Sequence, residues 1–323
     1  MPHWLQSLIL GIVQGVTEFV PVSSSGHLVL LPYLAGWDEP GLAFDVALHL
    51  GTAAAVIVYF RAELLGMLKA VVRRGGDAES ALYRRLVVLL AIGTVPAAIA
   101  GVTLESFFQE TFESPLVVSS FLLVTAVVLT VGERFRARRI ALAKVRADAA
   151  PKPQQVWTGD WMGHVSDEVA VDPLAGVDIG RDAADLSASD LRGLGVRHAL
   201  IVGVGQAFAL FPGLSRSGAT ITAGLFSGLT RAAATRFSFM LSLPALVGAA
   251  VVSLPDLGEQ TSVYSGGDLA VGIVAAFGAG YVTVAWLIRL VARERLTVFV
   301  RYLVAAAAVG FLGYAMNGPV SSV

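Results

Sequence analysis

The chain has 323 residues, of which 55% are hydrophobic and only 15% charged, with a formal net charge of −1. A mean hydropathy of +0.72, together with long apolar runs separated by charged loops, predicts an all-α polytopic membrane protein and excludes a soluble globular domain. The near-neutral charge leaves no footprint for nucleic acid, and the absence of cysteine excludes disulfides, thiol catalysis and cysteine-ligated metals.

The N-terminus, MPHWLQSLIL, has no basic region, so no cleaved signal peptide is expected. The stretch QGVTEFVPVSSSGH, from Gln14 to His27, then interrupts an oily segment. Gln14 and Glu18 are four apart and share one helix face. Pro21 ends that helix, Ser23, Ser24, Ser25 and Gly26 form a hydroxyl-rich turn, and His27 opens a second short apolar run. Residues 5–35 are therefore expected to form a hairpin too short to cross a bilayer twice. Three spans follow, at 42–60, 86–104 and 116–132. A polar stretch, 133–197, reads as a cytoplasmic insert, with Trp157, Trp161 and His164 in local packing roles. The pattern then restarts with a hairpin over 199–230 containing PGLSRSGAT, and with spans at 237–254, 269–290 and 298–316.

The two halves match at an offset of 192: Gly11 with Gly203, Gln14 with Gln206, Phe19 with Phe211, Ser23 with Ser215, Ser25 with Ser217 and Gly26 with Gly218. The matches gather at the two broken helices, which predicts an internal repeat, residues 1–132 and 198–323 flanking the insert. Loop charge orients it. Arg61, Lys69, Arg73, Arg74, Arg84 and Arg85 place one loop in the cytoplasm, whereas 105–114 and 255–268 carry no Lys or Arg and belong outside. Three spans per half is an odd number, so the expected architecture is two inverted-topology repeats, each a re-entrant hairpin plus three transmembrane helices, with the breaks meeting near the midplane.

Arg216 is the only Lys or Arg within either hairpin, and a guanidinium at membrane depth needs an anion; Glu18 is its internal candidate. Ser23 and Ser25 on one turn, with Ser215, Ser217, Gly218 and Thr220 on the other, read as phosphate-binding groups at helix starts. Ser24 and His27 are spaced for a nucleophile and its base, and Glu18 with Gln14 for a divalent metal or a further acid-base group. Asp45 and His49, one turn apart on the first span, would support them. Each residue also has a plain structural reading: serines cap helices, a histidine packs, and Arg216 with Glu18 forms a buried ion pair. Convergence on two symmetry-related breaks favours an anion site. Two functions stay open, a hydrolase of a phosphorylated lipid and a transporter or flippase of an anionic one.

QGVTEFVPVSSSGH and PGLSRSGAT resemble the two signature motifs of the bacterial undecaprenyl-diphosphatase family, which confers bacitracin resistance. The resemblance covers the chain outside about 145–192. It implies a multi-pass hydrolase of the bacterial inner membrane that converts undecaprenyl diphosphate to undecaprenyl phosphate plus phosphate, recycling the lipid carrier of cell-wall (peptidoglycan) synthesis. It also implies a divalent cation, Mg2+ or Ca2+, and a site opening to the extracytoplasmic side; whether the chain forms a homodimer stays open. Carried onto this chain, the motif residues are Glu18, Ser23, Ser24, His27, Ser215, Arg216, Ser217 and Thr220. Gln14 stands where many members have Glu, which weakens a two-carboxylate metal site, and the insert is longer than the family's usual loop.

Overall fold

The structure, a computed structural model, describes residues 1–73, 76–104, 114–149, 191–253 and 263–319. Among these it contains eleven α-helices and no strand: α1 (His3–Thr17), α2 (Ser24–Ala35), α3 (Leu42–Tyr59), α4 (Arg61–Arg73), α5 (Ala78–Thr103), α6 (Pro115–Ala149), α7 (Val196–Phe208), α8 (Arg216–Ser227), α9 (Arg231–Ser253), α10 (Gly266–Arg293) and α11 (Val298–Asn317). Six of them, α3, α5, α6, α9, α10 and α11, are long and apolar enough to cross a membrane. The chain is a multi-pass membrane protein.

The helix breaks follow local chemistry. α1 stops at Thr17, four residues before Pro21, and α2 starts at an N-cap, Ser23, whose hydroxyl accepts from the Gly26 amide at 3.2 Å. In the second hairpin Ser215 caps α8 in the same way, accepting from Gly218 at 3.1 Å. Gly36 and Gly228, both at positive φ, close the two short helices.

Two features differ from the sequence expectation. The basic loop after α3 contains a helix, α4, held to the bundle by an ion pair between Glu63 and Arg236 of α9. The third helix does not stop at 132: α6 continues through Ala149, because residues 133–149 lack Gly and Pro and are rich in Arg and Ala. At 1.5 Å per residue its 35 residues extend about 52 Å against a hydrocarbon core of about 30 Å, so its basic end leaves the membrane. Trp157, Trp161 and His164 lie outside the described residues, as do 105–113 and 254–262.

Packing places the broken helices inside the bundle. α1 lies along α10, and α7 lies along α5. Both contacts depend on glycine: a Cβ on Gly11 would sit 2.4 Å from the Gly272 carbonyl oxygen, and one on Gly203 would sit 2.3 Å from that of Gly93. Any side chain there would push the helix pair apart. The two turns are then packed from outside by rings, Phe19 edge-on to Phe239 of α9 at 5.3 Å and Phe211 stacked on Phe121 of α6 at 5.4 Å. At the end of α6 that carries the arginines, Glu133 accepts from Arg231 Nε at 2.8 Å, Arg231 Nη2 at 2.9 Å and the Leu296 amide at 2.9 Å, joining α6, α9 and the α10–α11 connection.

Candidate active site

The breaks after α1 and α7 meet. Ser217 donates to the Val20 carbonyl at 3.2 Å, and the Gly213 amide donates to Ser25 Oγ at 3.5 Å, so each turn is tied to the other. The starts of α2 and α8 therefore converge. The first-turn amides of each helix have no carbonyl of their own helix to bond, and both positive dipole ends face the same place.

Glu18 sits at that junction, 5% exposed. Its Oε1 accepts from Arg216 Nη2 at 2.8 Å, and its Oε2 accepts from Ser24 Oγ at 2.5 Å and from Gln14 Nε2 at 3.2 Å. One carboxylate thus bridges a guanidinium and a hydroxyl contributed by different hairpins. The ion pair is buried, with side-chain exposures of 16% for Arg216 and 4% for Glu18, so removing either partner strands a charge in a low-dielectric interior. Ser24 is only half-buried.

The remaining sequence candidates divide. His49 Nε2 lies 3.6 Å from Glu18 Oε2, and its Nδ1 donates to the Asp45 backbone carbonyl at 2.7 Å, which brings His49 to the site and leaves Asp45 Oδ1 buried without a hydrogen-bond partner. The expected pairing of His27 with Ser24 is not what forms. Nδ1 of His27 turns back to the Ser23 carbonyl at 2.7 Å and Nε2 reaches Tyr302 of α11 at 2.6 Å, because both rings stack and the short α2 turn points the imidazole along its own helix. Ser24 bonds Glu18 instead. Ser215 and Ser217 are occupied in holding the second turn: Ser215 Oγ caps α8 and lies 3.2 Å from Ser217 Oγ. Ser23 and Ser25 form the same pair on the first turn at 3.3 Å. The backbone amide of Gly218 is taken by its cap, leaving those of Arg216 and Ser217 as the helix-start donors.

Three residues outside the motifs complete the site. Ser238 of α9 meets Thr220 Oγ1 at 2.5 Å and offers its carbonyl to Arg216 Nη1 at 3.5 Å. Thr125 of α6 accepts from the Ser215 amide at 3.1 Å, fixing the second turn from a span of the first half. Tyr302 holds His27. Each is one of several hydroxyls on an apolar helix, with no spacing signal that would separate it from an ordinary membrane Ser, Thr or Tyr.

For a divalent cation, the described residues contain no cluster of three or more His, Asp or Glu. What they supply is one carboxylate, Glu18, and the buried Gln14 Oε1, which has no hydrogen-bond partner. Hard cations of the Mg2+ type are commonly held by one or two carboxylates and completed by substrate phosphates. The donor set fits a cation that shares its ligands with a bound diphosphate, and does not fit one held by the protein alone.

Comparison with known proteins agrees with this chemistry. Residues 7–165 and 169–309 match the family model described as bacitracin resistance protein BacA. The match runs through 145–192 except for 166–168, so the segment expected to fall outside the resemblance belongs to it. An undecaprenyl-diphosphatase of Pelobacter propionicus is 39% identical over 312 residues, covering 94% of this chain and 95% of its own. An undecaprenyl-diphosphatase of Alcanivorax borkumensis is 35% identical over 305 residues (93% and 94%), and undecaprenyl-diphosphatase 2 of Streptomyces coelicolor is 36% identical over 305 residues (94% and 91%).

Proposed function

Because the chain belongs to the bacitracin resistance protein BacA family, we propose that it is an integral membrane phosphatase converting undecaprenyl diphosphate to undecaprenyl phosphate and phosphate. The observation that carries the reading is the Ser24–Glu18–Arg216 set, centred on a buried carboxylate at two converging helix starts. The relatives are named for hydrolysis, and none of those above is named as a carrier, so the transporter reading has no support from them.

The diphosphate enters beside Ser24 with its terminal phosphate against Arg216 and the first-turn amides of α8. Glu18 Oε2, 2.5 Å from Ser24 Oγ, takes the hydroxyl proton as Oγ bonds to the terminal phosphorus. The bond from that phosphorus to the bridging oxygen breaks, and undecaprenyl phosphate leaves with the bridging oxygen. Glu18 passes that proton to the leaving undecaprenyl phosphate; water then attacks the phosphoserine, giving a proton to Glu18 Oε2, which returns it to Ser24 Oγ as the Oγ–phosphorus bond breaks and inorganic phosphate departs. Arg216 balances the charge on the non-bridging oxygens, the part of phosphoryl transfer where electrostatic stabilisation matters most. Where a divalent cation is bound, Glu18 and Gln14 would hold it, and it would neutralise phosphate charge.

The inverted repeat belongs to the same proposal. Its support is the exchange of partners, α1 on α10 of the other half and α7 on α5 of the other half, with the paired glycines Gly11 and Gly203 at the two contacts. In that arrangement residues 1–132 and 198–323 are the repeats, in the bacterial inner membrane, with the site opening to the extracytoplasmic side and the basic end of α6 in the cytoplasm.

The test is phosphate release from undecaprenyl diphosphate by the purified full-length protein, with and without Mg2+ or Ca2+. A folded, monodisperse preparation that releases none under any of these conditions would overturn the reading.

A further inference from the structure

Ser23 is the only non-glycine residue at positive φ among the described residues, with φ 72° and ψ 102°. A residue bearing a Cβ stays in such a conformation only where its surroundings enforce it, and here it immediately precedes the Ser24 hydroxyl. The enforcing contacts are local and directional. Ser23 Oγ accepts from the Gly26 amide at 3.2 Å, and the Ser23 carbonyl receives the His27 amide at 3.3 Å and His27 Nδ1 at 2.7 Å.

A carbonyl oxygen only accepts, so Nδ1 carries the proton, and in the neutral ring Nε2 is an acceptor. The group facing Nε2 is the Tyr302 hydroxyl, at 2.6 Å, which donates into it. The two rings also lie nearly parallel, 7° apart with centroids 5.6 Å from each other. The Ser23 carbonyl and the phenol on α11 thereby hold the same tautomer from the two sides of the ring, and the clamped peptide keeps Ser24 Oγ on Glu18 Oε2.

We propose that Tyr302 is a positioning residue for the phosphoryl-transfer site, acting through His27 to hold Ser23 in its left-handed conformation and Ser24 on Glu18. This rests on the reading of Ser24 as the attacking group. It makes His27 a clamp rather than a base, and it makes the seam between α2 and α11 part of the catalytic apparatus.

The test uses Tyr302→Phe, which keeps the stacked ring and removes the donor, in full-length protein in lipid nanodiscs with ring-15N histidine. The His27 signals are assigned by their loss in His27→Gln. Wild-type His27 is expected as a single Nδ1-protonated tautomer, and Tyr302→Phe as a mixture of both. The same variant should lower kcat roughly tenfold, the size expected from one lost hydrogen bond, with KM nearly unchanged. The double variant His27→Gln/Tyr302→Phe should be no slower than His27→Gln alone. An unchanged tautomer, a loss confined to KM, or effects that multiply in the double variant would overturn the proposal. Absence of phosphate release by wild-type protein would count against the phosphatase reading alone, since the tautomer measurement needs no turnover.

Discussion

The two broken hairpins share one frame of helix caps, and three of their differences set the chemistry. In each, a serine N-cap accepts from the glycine three residues on, and a second serine lies within 3.3 Å of the first. Across the offset of 192, Glu18 becomes Leu210, Ser24 becomes Arg216 and His27 becomes Ala219. The first hairpin thus holds the carboxylate, the hydroxyl and the clamp, and the second holds the cation. Neither is a site alone. Two turns with matching caps deliver opposite charges to one point, because packing ties the two helix starts together.

If that division is right, removing the charge of either half should do most damage. Glu18→Gln and Arg216→Ala are each expected to lower phosphate release on the order of a thousandfold or more, and Arg216→Ala to lower thermal stability as well, because it leaves a buried carboxylate unpaired. Arg216→Ala with near wild-type release would show that the second hairpin is scaffold only.

Ser24→Ala tests the first hairpin more finely. Release should fall to background, and acid quenching of wild-type turnover should trap phosphate on Ser24. Steady turnover by Ser24→Ala would instead assign the attack to water.

The matched glutamines give a smaller, sharper contrast. Gln14 Nε2 bonds Glu18, whereas neither amide atom of buried Gln206 has a partner, since Leu210 stands where Glu18 would. Gln14→Met should therefore cost roughly tenfold in activity, through a misplaced Glu18. Gln206→Met should leave activity unchanged and raise thermal stability by about 1 kcal/mol, because it removes an unsatisfied buried amide. A lower melting temperature for Gln206→Met would show that the amide is satisfied in the membrane. Calorimetry offers a last check: Mg2+ should bind tightly only with a diphosphate present, and tight binding to the free protein would require ligands beyond Glu18 and Gln14.

Much of this protein was legible in its residues. Six apolar runs of spanning length appear as six helices, because a chain in hydrocarbon must satisfy its backbone internally. Pro21 and the Ser-Gly caps marked both breaks, since their constraints act within a few residues. Charge and depth nominated Glu18 and Arg216 as partners, and they are 2.8 Å apart. The continuation of α6 past residue 132 was missed because a loss of apolar residues looks like the end of a span, although helix propensity carries on.

What the residues could not decide was which hydroxyl faces which base. Ser24 and His27 have the right spacing to pair, yet Ser24 turns to Glu18 and His27 to Ser23 and Tyr302. Hydrogen bonds are chosen by orientation at the scale of an ångström, and that orientation is set by groups on α9, α6 and α11 that lie 22, 90 and 275 residues from the side chains and backbone they hold. Sequence spacing specifies the members of the site and the membrane that surrounds it. Only the packing of the two halves against each other assigns each member its partner.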